Sequence, residues 1–109
     1  MKELAVQIVR CDDNRNFPGW IECEFKDADG RRHLLIDKVP LFSMDPSLDP
    51  LDDNCEFPQP AGVECEILDI WRDPLGRELV RITIDRPWHV ESTEKLSEFV
   101  VLAAQLSDK

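Results

Sequence analysis

Several segments of this chain alternate apolar and polar residues with a period of two, as a β-strand with one buried face requires. In the clearest example Ile21, Cys23 and Phe25 occupy one side of residues 20–25, and two glutamates lie on the other side. Similar alternation occurs in residues 3–11, 31–39, 62–71 and 78–85. The sequence therefore predicts a series of short strands.

Turn-forming residues separate these segments. The Asp29-Gly30 step favours a hairpin, since glycine reaches positive φ without a Cβ clash, and residues 73–76 predict a second hairpin. The alternation slips near Asp69, which predicts a β-bulge. In the strand at 78–85 we expect one side to face inward and the other outward; the inward residues are Val80, Ile82 and Ile84, and the outward ones are Leu79, Arg81 and Thr83.

The C-terminal segment allows two interpretations. Ser92 and Thr93 can cap a short helix, and the apolar residues after them also fit a helical stripe. Residues 99–102 are a β-favouring run, and we choose a strand there while keeping the helix open. The predicted fold is mainly β: a small antiparallel barrel or curled sheet of five to six strands, with a short C-terminal helix as the open alternative.

The chain has 109 residues, of which 42% are hydrophobic and 33% are charged. A chain of this length has room for one hydrophobic core, so we expect residues 1–109 to form a single domain. The N-terminal segment lacks a signal-peptide pattern, and no stretch has the apolar length of a membrane span. We therefore expect a cytoplasmic protein that binds no membrane.

Acidic residues dominate the charge. The formal net charge is −10, which repels nucleic acid and anionic membrane surfaces. No Lys or Arg occurs from Val39 to Trp71. A charge run of this kind is usually a solvated face, but it can also steer a basic partner protein. The acidic candidates for partner contact are Asp45, Asp49, Asp52, Asp53, Glu56, Glu64 and Glu66.

Residues 41–61 follow directly on Pro40 and hold four of the eight prolines of the chain as well as five acidic residues, so we predict one long surface loop. Loops of this length in a small domain are often functional or mobile. The acidic run lacks the Asp and Glu order of an EF-hand, and we expect no metal site. The four cysteines are scattered without a ligand-like spacing, so we expect buried, reduced thiols and no cofactor.

Three tryptophans, Trp20, Trp71 and Trp88, lie at strand or turn positions. We expect such large aromatic side chains to be buried in the core. Trp20 is the exception that we retain as a candidate, because it lies on the glutamate side of its strand, where it can anchor a partner.

Two histidines, His33 and His89, are the available general bases, and neither has a sequence relation to a nucleophile. His89 lies near Glu91 and Ser92, but this spacing matches no catalytic motif, and a structural loop explains it. We therefore predict a protein that is not an enzyme. A small hydrolase-like enzyme using His33 or His89 is kept as an alternative.

Several segments together resemble a group of small bacterial proteins of unknown function, over nearly the whole chain. The resemblance implies a bacterial cytoplasmic domain and attaches no activity, ligand or functional residue. His89 and the Lys95-Leu96 step depart from the pattern of that group. The segments that carry the resemblance are Pro18–Glu22, Asp27–His33, Asp37–Pro40, Cys65-Glu66 and Pro87–Thr93.

These observations favour a small, acidic protein-interaction module that contacts a basic protein through the acidic run and Trp20. The alternative within the same class is an immunity protein or antitoxin that covers a basic toxin, since opposite charge accelerates such an encounter. The sequence leaves the oligomeric state and the identity of the partner open.

Overall fold

The alternating segments form the strands of one antiparallel sheet in a computed structural model, which describes residues 1–109. Five to six strands were expected, and the structure has six main strands and two very short ones. The strands are β1 (Lys2–Asp13), β2 (Trp20–Lys26), β3 (Arg32–Lys38), β4 (Phe42–Ser43), β5 (Gln59–Arg72), β6 (Glu78–Thr83), β7 (Glu98–Leu102) and β8 (Leu106–Asp108).

The six main strands follow the order β3-β2-β1-β5-β6-β7 and curl into a half-barrel, which confirms the predicted fold class. β4 pairs with β5, and β8 pairs with β1 at Lys2–Leu4. The chain that leaves β7 thus returns to the first strand. Only two three-residue 3-10 turns occur, at Val39–Leu41 and Ala103–Gln105, so the C-terminal residues form a strand and no helix follows Ser92.

Alternation places the apolar residues of each strand on the inner face of the curled sheet. The bulge predicted near Asp69 is present as a register shift between Ile67 and Asp69 in the β5–β6 ladder. The fully or nearly fully buried core residues are Leu4, Val6, Ile8, Ile21, Cys23, Phe25, Leu35, Phe42, Val63, Cys65, Val80, Ile82, Ile84, Val90, Phe99 and Val101.

Two residues of β6 that were expected to face outward are buried. Leu79 lies between Trp71 and Leu102 in the three-stranded ladder, and Thr83 is equally enclosed. The alternation identified the inward face correctly, but β6 lies between β5 and β7, and cross-strand neighbours flank its side chains on both sides. Such lateral contacts depend on strand pairing, which the pattern of a single strand does not encode.

The prediction that the tryptophans fill the core is wrong. Trp71 is 37% exposed and Trp88 is 50% exposed, while Trp20 is half-buried at the start of β2. Branched aliphatic side chains and phenylalanine fill the narrow interior instead.

The segment predicted as one loop over residues 41–61 is shorter than expected. β4 and its 3-10 turn occupy its first residues, and β5 begins at Gln59, so Pro60 lies in a strand. Residues 59–61 of β5 pair only with β1, and a proline is tolerated where a strand has a free edge. The remaining connection, residues 44–58, is called the acidic loop below.

No helix in the structure is long and apolar enough to cross a bilayer. All four cysteines are free thiols. Cys23 and Cys65 are buried as predicted, and burial raises the pKa of Cys23 to about 12 and that of Cys65 to about 11. Cys11 and Cys55 are only half-buried, so the expectation of buried thiols is correct for two of the four.

Candidate interaction surface

The acidic loop is folded by its own aspartates. Asp45, Asp49 and Asp52 each accept a hydrogen bond from the backbone N–H two residues further on, at 2.8, 3.1 and 2.8 Å. These are Asx turns, in which a short carboxylate closes a turn of its own backbone. Hydrogen bonds from the side chain and the backbone of Ser47 lower the pKa of Asp45. The loop therefore has a defined backbone path.

Apolar side chains hold the acidic loop against the barrel. Met44, Leu48, Leu51 and Phe57 are half-buried and pack against the core cluster. Since each such contact removes apolar surface from water, the loop gains a hydrophobic attachment at both ends and in the middle. Its charged side chains stay outside: Asp45, Asp49, Asp52, Asp53 and Glu56 are all exposed.

The acidic loop also docks on the β1–β2 connection. Asn14 Nδ2 donates to Leu51 O at 3.4 Å and to Asp53 Oδ1 at 3.3 Å. Leu51 covers Gly19, where a Cβ atom would lie 2.4 Å from Leu51 Cδ1. The two connections therefore form one continuous surface at this end of the barrel.

Phe17 lies in this surface and is 100% exposed. It belongs to a turn that the Gly19 N–H closes by donating to Asn16 O at 2.7 Å. A phenylalanine ring that contacts nothing in its own chain leaves a large apolar area in water. The strand pattern does not single out Phe17; the available signal is an aromatic residue inside a polar, turn-forming segment, which has no strand to bury it.

The carboxylates of the acidic loop have no counter-ions. Every ion pair of the structure is formed outside residues 44–58. Cys11 lies near the end of β1, and burial and then the charges of Asp13, Asp12 and Asp53 raise its pKa. The five exposed carboxylates of the acidic loop, together with Phe17, are called the acidic face.

Glu64 and Glu66, which the sequence grouped with the acidic run, have partners. Lys109 Nζ lies 2.5 Å from Glu64 Oε1, and Arg86 Nε lies 2.9 Å from Glu66 Oε2. The hydrogen bond from Lys109 lowers the pKa of Glu64. Both glutamates are on β5, where their charges are compensated, so they do not extend the unpaired part of the acidic face.

Trp20 begins β2 immediately after Gly19, the residue that Leu51 of the acidic loop covers. Lys38 Nζ lies 5.8 Å from the centre of its ring, within the range of a cation–π contact. The tryptophan is also part of the wall of a cavity of about 350 Å³. Trp20, the aromatic candidate from the sequence, thus contacts Lys38 and lines a cavity that contains no residue of the acidic loop.

The two histidines have different surroundings. His33 is buried between Phe25 and Phe99, and its Nε2 atom lies 2.8 Å from Asp27 Oδ2. His89 is exposed, with Nδ1 3.3 Å from Asp85 Oδ1. Both imidazoles have a carboxylate partner, and neither hydrogen-bonds a cysteine or serine. No group of three or more His, Cys, Asp and Glu side chains is arranged to hold a metal ion.

The fold and this surface define a class of molecule: a small antiparallel half-barrel with a docked acidic loop. Comparison with protein-family models, with curated proteins and with solved structures found no match to this chain.

Proposed function

We propose that this protein is a protein-interaction module whose acidic face binds a basic partner protein. The observation that carries the proposal is the set of five exposed, unpaired carboxylates on a loop that is held in place. A prefolded loop loses little conformational entropy on binding, and uncompensated charge attracts an oppositely charged surface over a distance set by the salt concentration.

Phe17 supports the same proposal. Protein interfaces commonly combine an aromatic anchor, which enters a pocket of the partner, with a polar rim. The partner that fits has an apolar pocket bordered by lysine or arginine. Charge then sets the rate of encounter, and Phe17 sets how long the complex lasts.

A capture experiment tests the acidic face. The tagged protein is incubated with a lysate of the source cells at low salt, and bound proteins are identified by mass spectrometry. It is compared with the variant Asp49→Asn/Asp53→Asn/Glu56→Gln. Asparagine also forms Asx turns, so this variant keeps the loop fold while removing charge.

The control variant Asp29→Asn/Asp69→Asn/Glu98→Gln changes the net charge equally, at exposed carboxylates outside the loop and free of ion pairs. We expect a basic protein that the control variant captures as the wild type does and that the loop variant loses about tenfold. Equal capture by the two variants, or capture of no basic protein, would overturn the proposal.

A further inference from the structure

The outer face of β5, β6 and β7 holds a row of apolar side chains that continues across all three strands. Val80 and Ile82 of β6 are in the core, so the residues that alternate with them form the outer face. Trp71 of β5 is paired with Leu79 of β6, and Leu79 is paired with Leu102 of β7. Trp71 is exposed and Leu102 is half-buried, so the row presents apolar surface to solvent.

A second row on the same face carries charge. Arg81 of β6 is paired with Asp69 of β5 on one side and with Val100 of β7 on the other. Paired residues of antiparallel strands place their side chains on one face. Asp69 is two residues from Trp71, and Arg81 is two residues from Leu79, so both rows share the outer face. The bulge of β5 lies before Asp69 and does not disturb this alternation.

Neither charged residue of the second row takes part in an ion pair. Asp69 and Arg81 are both exposed, and all ion pairs of the structure involve other residues. The Asp69 carboxylate accepts one hydrogen bond, from the N–H of Ile70 at 2.8 Å. A free carboxylate beside a free guanidinium offers both signs of charge to a molecule that approaches this face.

The hairpin of β5 and β6 is electrically neutral in a strongly acidic chain. Residues 69–81 contain three Asp or Glu and three Arg, whereas the net charge of the whole chain is −10. Arg72 pairs with Glu78 at 3.5 Å, and Arg77 pairs with Asp73 at 2.7 Å. Two copies of an acidic protein repel each other, and this repulsion is weakest where they approach through a neutral surface.

We propose that two copies of this chain form a symmetric dimer through Asp69, Trp71, Leu79 and Arg81, which are called the hairpin face below. A two-fold axis that runs parallel to the strands, midway between β5 and β6, exchanges the positions of these two strands. Trp71 of each copy then lies on Leu79 of the other, and Asp69 of each copy lies on Arg81 of the other. One axis satisfies both rows because the members of each pair are directly opposite in the ladder.

The size of the outer face sets the expected strength of the dimer. Three strands about 4.8 Å apart, over about six residues of about 3.4 Å each, give a planar area of roughly 300 Å². A standard stable interface buries about 800 Å² per partner, so we expect a weak, reversible dimer with Kd on the order of 100 μM. The hairpin face includes no residue of the acidic face, so this inference is independent of the proposed function.

Sedimentation equilibrium of the full chain measures the association. Total concentrations run from about 10 μM to about 1 mM, at an ionic strength of about 0.15 M, where the Debye length of about 8 Å screens the net charge. We expect a reversible equilibrium between monomer and dimer. A chain that stays monomeric throughout would overturn the proposal. Phe17→Ser should leave the equilibrium unchanged, and loss of the dimer in this variant would place the contact on the acidic face instead.

Charge reversal tests whether Asp69 meets Arg81 across the axis. Asp69→Arg puts two positive charges on each hairpin face, and Arg81→Asp puts two negative charges there. Each variant alone should therefore dimerise about tenfold or more weakly than the wild type. An equimolar mixture of the two should restore association as a heterodimer, because one face is then positive and the other negative. A mixture that stays monomeric would refute the two-fold arrangement.

Matched controls separate the hairpin face from general effects of charge and exposure. Asp29→Arg and Arg15→Asp reverse exposed charges outside this face, and each should dimerise as the wild type does, alone or mixed. Trp71→Ser should weaken the dimer about tenfold, whereas Leu75→Ser, at the tip of the same hairpin, should leave it unchanged. Equal losses in Trp71→Ser and Leu75→Ser, or in the charge variants and their controls, would contradict the assignment.

Discussion

Leu51 covers Gly19, and the contact between them joins the acidic loop to the β1–β2 connection. Gly19 has φ +86°, and a Cβ atom there would lie 2.4 Å from Leu51 Cδ1. The glycine is thus required twice, for its left-handed backbone and for the space above it.

We expect Gly19→Ala to displace Leu51 and loosen the acidic loop. Gly30→Ala is the matched control, because Gly30 also has positive φ, at +81°, but nothing lies within 4 Å of its added Cβ. The alanine at position 19 should lower the free energy of unfolding by about 1–3 kcal/mol more than the alanine at position 30. Urea denaturation measures both variants, and equal losses would show that Leu51 yields without cost.

Phe17→Ser should leave stability unchanged within about 0.5 kcal/mol, because the ring is fully exposed. If Phe17 anchors the partner, the same substitution should weaken capture of that partner about tenfold or more. Leu75→Ser is the control, since Leu75 is 81% exposed at the tip of the β5–β6 hairpin. A comparable loss of capture from Leu75→Ser would rule out a specific role of Phe17.

The buried pair of Asp27 and His33 predicts a dependence of stability on acid. Burial raises the pKa of Asp27, but hydrogen bonds from His33 and from the N–H groups of Arg31 and Asp29 outweigh it, so the pKa is lowered. A carboxyl with a lowered folded pKa stabilises the fold above its unfolded pKa of about 3.9. That contribution is lost as the pH falls through the folded value.

Asp27→Asn should therefore cost about 1–3 kcal/mol at neutral pH, and the difference from wild type should shrink below pH about 4. Chemical denaturation at a series of pH values measures this. Asp29→Asn, in the same turn but exposed, serves as the control and should show little effect at any pH. A cost of Asp27→Asn that persists unchanged into acid would exclude an electrostatic origin.

Thiol alkylation of the native protein reports the surroundings of the four cysteines. Cys23 and Cys65 should resist iodoacetamide at pH 8, because they are buried and burial raises the pKa of each thiol. Burial and the neighbouring aspartates also raise the pKa of Cys11, so Asp53→Asn should accelerate its labelling about twofold. Mass spectrometry identifies the labelled sites. An unchanged labelling rate of Cys11 in the Asp53→Asn variant would show that the Asp53 charge does not influence this thiol.

Local sequence patterns were sufficient for the strands. The alternation around Ile21, the glycine turns and the bulge at Asp69 depend on neighbours within a few residues, and these features are present as predicted. Alternation could not decide that Leu79 is buried, since the side chains that flank it, Trp71 and Leu102, belong to the neighbouring strands. Large aromatic side chains are common in cores, but this half-barrel leaves the three tryptophans at least partly exposed.

The candidate site was only partly predictable. The charge run pointed to the acidic loop, but Glu64 and Glu66 belonged to the same run and differ in being paired with Lys109 and Arg86. Phe17 is uncharged and lies outside the acidic run, so the charge pattern could not identify it. These distinctions depend on residues that are far apart in the chain, which no local pattern contains.

The sequence by itself determined the mainly β architecture, the inner face of each strand and the position of the acidic run that has no Lys or Arg, because each follows from residue type and short-range spacing. Only the tertiary structure decided that the acidic loop is docked, through Asn14 to Asp53 and Leu51 to Gly19. It also decided which carboxylates of the acidic run have an ion-pair partner, as Glu64 and Glu66 do. The physical reason is that ion pairing, docking and cavity formation require distant segments to meet in space.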